Sequence, residues 1–180
     1  MNSVDIEESA AGERNQSSVF APDRFAHSLG RVSLDELVSE GVQGIILDLD
    51  NTIVAFGGED IDPADRAWIK AAKERGLRIV LLSNNFSARV GCISENLDVP
   101  AISCALKPLP TAFLRALRLL KTERRATIVV GDQLLTDVLG AKLVGLRSIL
   151  TTPIVAHDHG TTRILRFVER LLIGRRERGN

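Results

Sequence analysis

The segment Leu47-Asp48-Leu49-Asp50-Asn51-Thr52 sets two carboxylates two residues apart, directly after the apolar run Gly44-Ile45-Ile46-Leu47. In an extended chain, residues i and i+2 project to the same side, so Asp48 and Asp50 face a common space. Two carboxylates held together repel, and together they attract a proton or a cation. That arrangement suits phosphoryl chemistry. One acid attacks phosphorus, the other moves protons, and a divalent cation offsets the charge of the phosphate. A helix cap or a solubilised strand end uses the same residues, so the pair does not decide the matter alone.

Three further sites add to it. Ser83-Asn84 follows the run Val80-Leu81-Leu82 and offers a hydroxyl and an amide to phosphate oxygens. Gly131-Asp132 follows Ile128-Val129-Val130, and Asp137 comes five residues after Asp132. Hard oxygen ligands of this kind suit Mg²⁺. Lys107 precedes Pro108, which restricts its backbone and can aim its ammonium at a phosphate.

Other chemistries find little support. Cys92 and Cys104 lack metal-site spacing and read as buried thiols. His157 and His159 flank Asp158 without a third nearby ligand and read as a surface loop. Gly57-Gly58 lacks the spacing of a nucleotide-binding loop. Trp68 and Phe113 read as packing residues.

The elements that must carry these residues alternate along the chain. Short apolar runs at 44–50, 78–82, 101–103, 126–130 and 147–150 read as buried strands. Helices are expected from Pro63, capped by Asp62, to Arg75, and then over 89–97, 111–121 and 134–144. Ser33 and Glu36 form a capping box, and Phe25 with Leu29 suggests a short helical face. Five strands separated by helices predict an α/β fold, with a mostly parallel five-stranded sheet covered on both faces. The acids then fall at strand C-terminal ends, where open α/β sheets bind ligands.

Together, Asp48-Leu49-Asp50-Asn51-Thr52, Ser83-Asn84, Lys107-Pro108 and Gly131-Asp132-Gln133-Leu134-Leu135-Thr136-Asp137 resemble, in order and spacing, the four motifs of the haloacid-dehalogenase (HAD) superfamily. The fuller text is similar to its YqeG-type branch of subclass IIIA, related to phosphatidylglycerophosphate phosphatases. The resemblance spans roughly 20–155 and implies a Rossmann-like HAD core. It also implies a Mg²⁺-dependent phosphomonoester phosphatase with an aspartyl-phosphate intermediate. By that resemblance Asp48 is the nucleophile. Asp50 is the acid and base, with its backbone carbonyl on the metal. Thr52 and Ser83 hydrogen-bond to the phosphoryl group or shape the loop of the nucleophile, Asn84 binds the phosphoryl group, and Lys107 balances negative charge. Asp132 binds Mg²⁺ directly, and Asp137 supports the metal or pairs with Lys107.

Only 30 residues, 53–82, separate the first motif from Ser83, and 22 residues, 85–106, separate the second from the third. Both gaps are filled by core elements, so no large cap domain is expected, only a small flap near Phe56-Gly57-Gly58-Glu59. An open mouth suits a large or surface-bound ester, and phosphatidylglycerophosphate is the named expectation. Small soluble phosphate esters or nucleotides are the enzymatic alternative. A metal-binding interaction module without catalysis is the third.

The organisation expected is a disordered polar segment at 1–18, the phosphatase domain at 19–160, and a basic amphipathic helix and tail at 161–180. The formal charge of zero hides a net of −9 over 1–60, +5 over 61–160 and +4 over 161–180. In the tail, Ile164, Leu165, Val168, Leu171 and Leu172 share a helical stripe beside Arg163, Arg166 and Arg170. That pattern fits packing on the sheet, a partner, or peripheral contact with an anionic membrane at its inner face. A balanced overall charge gives no sign of specific nucleic-acid binding. The chain has neither a spanning apolar run nor a secretory leader pattern, and a cytoplasmic location is expected.

Overall fold

The computed structural model describes residues 21–85 and 88–155. The expected disordered segment at 1–18, His157 and His159, and the basic segment at 161–180 lie outside the described residues. No helix among the described residues is long and apolar enough to cross a membrane.

Among the described residues, six parallel strands form one sheet: β1 (Arg24–Ala26), β2 (Gly44–Leu47), β3 (Arg78–Leu82), β4 (Ala101–Ile102), β5 (Thr127–Gly131) and β6 (Arg147–Thr151). Their order across the sheet is β1-β6-β5-β2-β3-β4. The helices are α1 (Leu34–Ser39), α2 (Pro63–Glu74), α3 (Ala88–Leu97), α4 (Pro110–Leu120) and α5 (Leu139–Leu143).

The strand count corrects the expectation of five. Residues 24–26 form an edge strand rather than part of a helical face, and Phe25 pairs in register with Leu150. Leu29 lies in a separate single turn of 3₁₀ helix. A second departure is at 134–144. Leu134–Val138 winds as a π-helical turn before α5 begins. The thiols also differ from expectation, since Cys92 is exposed and Cys104 is half-buried.

Alternation along the strands builds two cores. Ile45, Leu47, Ile79, Leu81, Ile128 and Val130 pack with Trp68 and Ile69 of α2 and Ile93 of α3. Ile46, Val80, Leu82 and Val129 point the other way, onto Phe113 and Leu117 of α4 and Ala141 of α5. Each fully buried aliphatic side chain contributes about 1.5–3 kcal/mol, so central strands that are apolar on both faces are held firmly from both sides. Capping fixes where helices begin. The Asp62 carboxylate accepts from the Ala64 amide at 2.7 Å ahead of Pro63, and Ser33 Oγ accepts from the Glu36 amide at 3.3 Å.

From β2 the chain moves outward through β3 to β4. From β5 it moves the opposite way to β6. The direction therefore reverses between β2 and β5, and the loops that leave these two strands diverge. The crevice at such a reversal is the ligand site of open α/β sheets.

Candidate active site

Asp48 stands at that reversal. Its amide donates to the Val130 carbonyl at 2.9 Å, which extends the β2–β5 ladder by one step and holds the carboxylate beside the loop after β5. Thr52 Oγ1 donates to Asp48 Oδ2 at 3.2 Å, across a turn in which Asn51 has φ of 63°. Lys107 Nζ donates to Asp48 Oδ1 and, at 2.6 Å, to Asp137 Oδ1. All three charged groups are almost fully enclosed, at 5% exposure for Asp48, 4% for Lys107 and 2% for Asp137.

The loop that delivers Lys107 is tied to the end of β3. The Ala105 amide donates to the Ser83 carbonyl at 3.0 Å. The Asn84 side chain then grips the Lys107 backbone from both sides, accepting from its amide at 2.6 Å and donating to its carbonyl at 3.1 Å. The Lys107-Pro108 peptide is cis. Asn84, expected on the phosphate, thus has its amide on the backbone of the lysine, and its visible work is to place that lysine.

Asp132, Asp137 and Asp48 each present a carboxylate oxygen, all within 4.8 Å of one another. Asp132 Oδ1 is buried and accepts no hydrogen bond. An enclosed carboxylate oxygen without a donor loses its hydration and gains nothing in return. A divalent cation supplies what is missing, and three hard oxygen donors fit one. The carboxylate of Asp50 lies outside this trio.

The electrostatics follow from burial. Burial pushes the Asp48 carboxyl up to about 6, against the pull of Lys107, with Asp137 adding to the rise. Burial and then the charges of Asp48 and Asp137 push Asp132 up to about 8. Burial alone would lower the Lys107 ammonium, but Asp137 and Asp48 outweigh it and hold the group above its usual range. Two carboxylates share one lysine, and among the described residues the third acid forms no ion pair.

Asp50 is engaged elsewhere. Ser83 Oγ donates to its Oδ2 at 3.2 Å, and Arg89 Nη2 donates to its Oδ1. The serine hydroxyl in turn accepts from the Asn85 amide at 3.0 Å. Thr52 and Ser83, expected on the phosphoryl group or in shaping the nucleophile loop, each donate to one acid of the pair. The flap after the pair is a short excursion, with a parallel bridge from Asp50 to Val54 and an antiparallel one from Val54 to Ile61.

A model of the HAD-hydrolase-like family matches residues 105–160. The probable phosphatase YqeG of Bacillus subtilis (strain 168) is 39% identical over 154 residues, covering 86% of this chain and 90% of that one. The chain belongs to the YqeG-type phosphatases of the HAD superfamily. The YqeG-type chain shares its fold with a 4-nitrophenylphosphatase from Thermotoga maritima, at a TM-score of 0.57 and 13% identity, over 70% of this chain and 92% of that one. NagD from E. coli K-12 aligns with a TM-score of 0.55 and 14% identity, over 67% and 92%.

Two residues of this YqeG-type site escape a reading of sequence. Arg89 is one, although a signal existed: it stands four before Ile93 and eight before Leu97, both buried, and so shares the inward stripe of α3. Gly131 is the other. A Cβ there would lie 2.4 Å from Asp137 Cγ and 2.5 Å from its Oδ2. Gly131→Ala is expected to push the Asp137 carboxylate off Lys107 and to lower kcat/KM for phosphate release on the order of 100-fold. Steady-state kinetics alongside circular dichroism measure this, and wild-type kinetics in the folded variant would show that the approach does not matter.

Proposed function

We propose that this chain is a Mg²⁺-dependent phosphomonoester phosphatase that works through an aspartyl phosphate on Asp48, with phosphatidylglycerophosphate as its preferred substrate. The observation that carries the reaction is the placement of Asp48, a buried carboxylate at the sheet's reversal point, flanked by Lys107 and by two further acids. Asp48, Asp132 and Asp137 would hold the cation with their carboxylate oxygens, and Asp50 with its backbone carbonyl. When bound, the cation offsets the charge of the phosphoryl oxygens.

In the first step a carboxylate oxygen of Asp48 bonds to phosphorus as the ester P–O bond breaks, and Asp50 gives its proton to the departing oxygen. In the second, Asp50 takes a proton from water, the water oxygen bonds to phosphorus, and the acyl-phosphate bond breaks to restore Asp48. Lys107 keeps positive charge beside the oxygens on which negative charge grows. Thr52 and Ser83 hold the two carboxylates in place.

The lipid preference rests on the mouth. The loop over 48–62 is too short to hold a folded cap. Four exposed apolar side chains, Phe56, Leu106, Leu134 and Ile154, stand on the flap, beside Lys107, at the start of the π-helical turn and on the segment after β6. Leu106 precedes Lys107, and Leu134 follows Asp132 by two. The Phe56 amide donates to Asn51 Oδ1, while the Ile154 amide donates to the Asn51 carbonyl. Exposed apolar side chains on segments next to a charged centre suit an ester whose phosphate is attached to a lipid at a surface. The basic stripe at 161–173 would add attraction to anionic lipid, by roughly 1 kcal/mol per residue near the surface.

Phosphate release with Mg²⁺ tests the proposal, using phosphatidylglycerophosphate in mixed micelles beside glycerol 3-phosphate and nucleoside monophosphates. The lipid ester is expected to give the highest kcat/KM, with all turnover lost on chelation. A soluble ester as the best substrate would overturn the lipid preference. No release from any ester would leave the interaction module as the reading.

A further inference from the structure

We propose that Arg89 is a positioning residue for the acid Asp50, and that it fixes this carboxylate and the flap over the site with a single guanidinium. The inference rests on the reading of Asp50 as the proton donor to the leaving group. Arg89 lies in the first turn of α3 and is 9% exposed. Its Nη2 donates to Asp50 Oδ1, and its Nη1 donates to the carbonyl of Gly58 in the flap. Ser83 Oγ holds the other oxygen of Asp50 at 3.2 Å. The carboxylate is therefore gripped at both oxygens and cannot turn about its own axis without breaking a bond to a buried partner.

The flap side of the contact is equally specific. Gly58 closes a tight turn in which its amide donates to the Ala55 carbonyl at 2.8 Å, and the segment is tied back to Asn51 through the Phe56 amide. Asp50, Asn51, the turn at 55–58 and Arg89 thus form one closed circuit of hydrogen bonds. A guanidinium suits the junction because its planar fork directs separate N–H groups at a carboxylate and a carbonyl together, whereas lysine offers a point charge on a flexible stem. A proton donor must meet the leaving oxygen as the ester bond breaks, so within the first step an error in its placement lowers the rate only where the leaving oxygen needs a proton.

Leaving-group dependence isolates this role. An alkyl ester such as glycerol 3-phosphate needs a proton on its departing oxygen, while 4-nitrophenyl phosphate releases a stable anion without one. Single-turnover release of the alcohol or phenol reports the first step alone. With the full-length protein and Mg²⁺, Arg89→Gln is expected to slow glycerol release about 100-fold and nitrophenolate release less than about 3-fold, the pattern of a weakened general acid. Arg89→Lys, which keeps the charge but loses the fork, is expected to slow glycerol release about 10-fold, and it carries the test if the glutamine variant does not fold. Hydrogen exchange at the Gly58 amide should quicken in both variants. Equal loss on both esters would mean a merely structural arginine and overturns the proposal. Asp50→Asn serves as the reference. If it too slows both esters equally, the reading of Asp50 as the acid fails, and the role given to Arg89 falls with it. If Asp50→Asn discriminates between the esters and the Arg89 variants do not, only the role of Arg89 fails.

Discussion

Asp48→Asn is expected to leave the fold intact and to lower phosphate release by roughly 10⁴-fold or more, the scale of losing a nucleophile from a unit that acts together. The geometry explains why the fold should survive. An asparagine carbonyl still accepts from Thr52 Oγ1 or from Lys107 Nζ, and Lys107 retains its bond to Asp137 Oδ1 at 2.6 Å. The substitution also removes a carboxyl that burial already pushes up to about 6, so a charge that is costly to enclose disappears. A melting temperature at or above that of the wild type is therefore expected together with lost turnover. Rapid quench with labelled substrate, followed by peptide mapping, should place the phosphoryl group on Asp48 in the wild type and nowhere in the variant. Label trapped on another residue would reassign the nucleophile.

Much of this site could be read because the motifs sit where a simple rule puts them. Runs such as 78–82 are apolar at every position after Arg78, so they must be buried on both faces, and the polar residues that interrupt them mark the strand ends. Asp48, Ser83 and Asp132 each follow such a run directly. The edge strand β1 could not be read in this way. It is three residues long, Phe25 is 75% exposed, and its partner β6 lies more than a hundred residues away, so neither periodicity nor local pairing marks it. The π-helical turn at Leu134–Val138 was hidden for another reason. The amides of both Asp137 and Val138 donate to the Gln133 carbonyl, a backbone shift that leaves no trace in residue type yet helps to set Asp137 against Lys107. The individual partners of Thr52, Ser83 and Asn84 were also illegible. A hydroxyl or amide beside a phosphate site reads equally as a ligand for phosphate or as a support for the loop, and here their hydrogen bonds run to Asp48, Asp50 and the Lys107 backbone.

Asp132→Asn is expected to lower Mg²⁺ affinity by at least about 100-fold while making the metal-free protein more stable above neutral pH. Both effects come from one atom. Asp132 Oδ1 is enclosed without a donor, and burial together with the charges of Asp48 and Asp137 pushes its carboxyl up to about 8 from 3.8. In the metal-free protein the native state therefore keeps a proton on Asp132 that the unfolded chain has lost, over the whole range between those values. Where the native state binds more protons, stability falls as pH rises. Asp48 acts in the same sense between 3.8 and about 6. The melting temperature of the chelated wild type should then drop between pH 5 and pH 8. The asparagine side chain cannot ionise, so the decline above pH 6 should flatten in the variant, while the part below pH 6 that is due to Asp48 remains. Adding Mg²⁺ at pH 8 should raise the wild-type melting temperature and hardly move that of the variant, since a ligand stabilises only in proportion to its binding to the native state. Titration calorimetry gives the affinities directly, and equal Mg²⁺ affinity in the two proteins would remove Asp132 from the metal site. The charge that weakens the metal-free fold is the same charge that draws the cation, so the decline in stability above pH 6 and the affinity should disappear together.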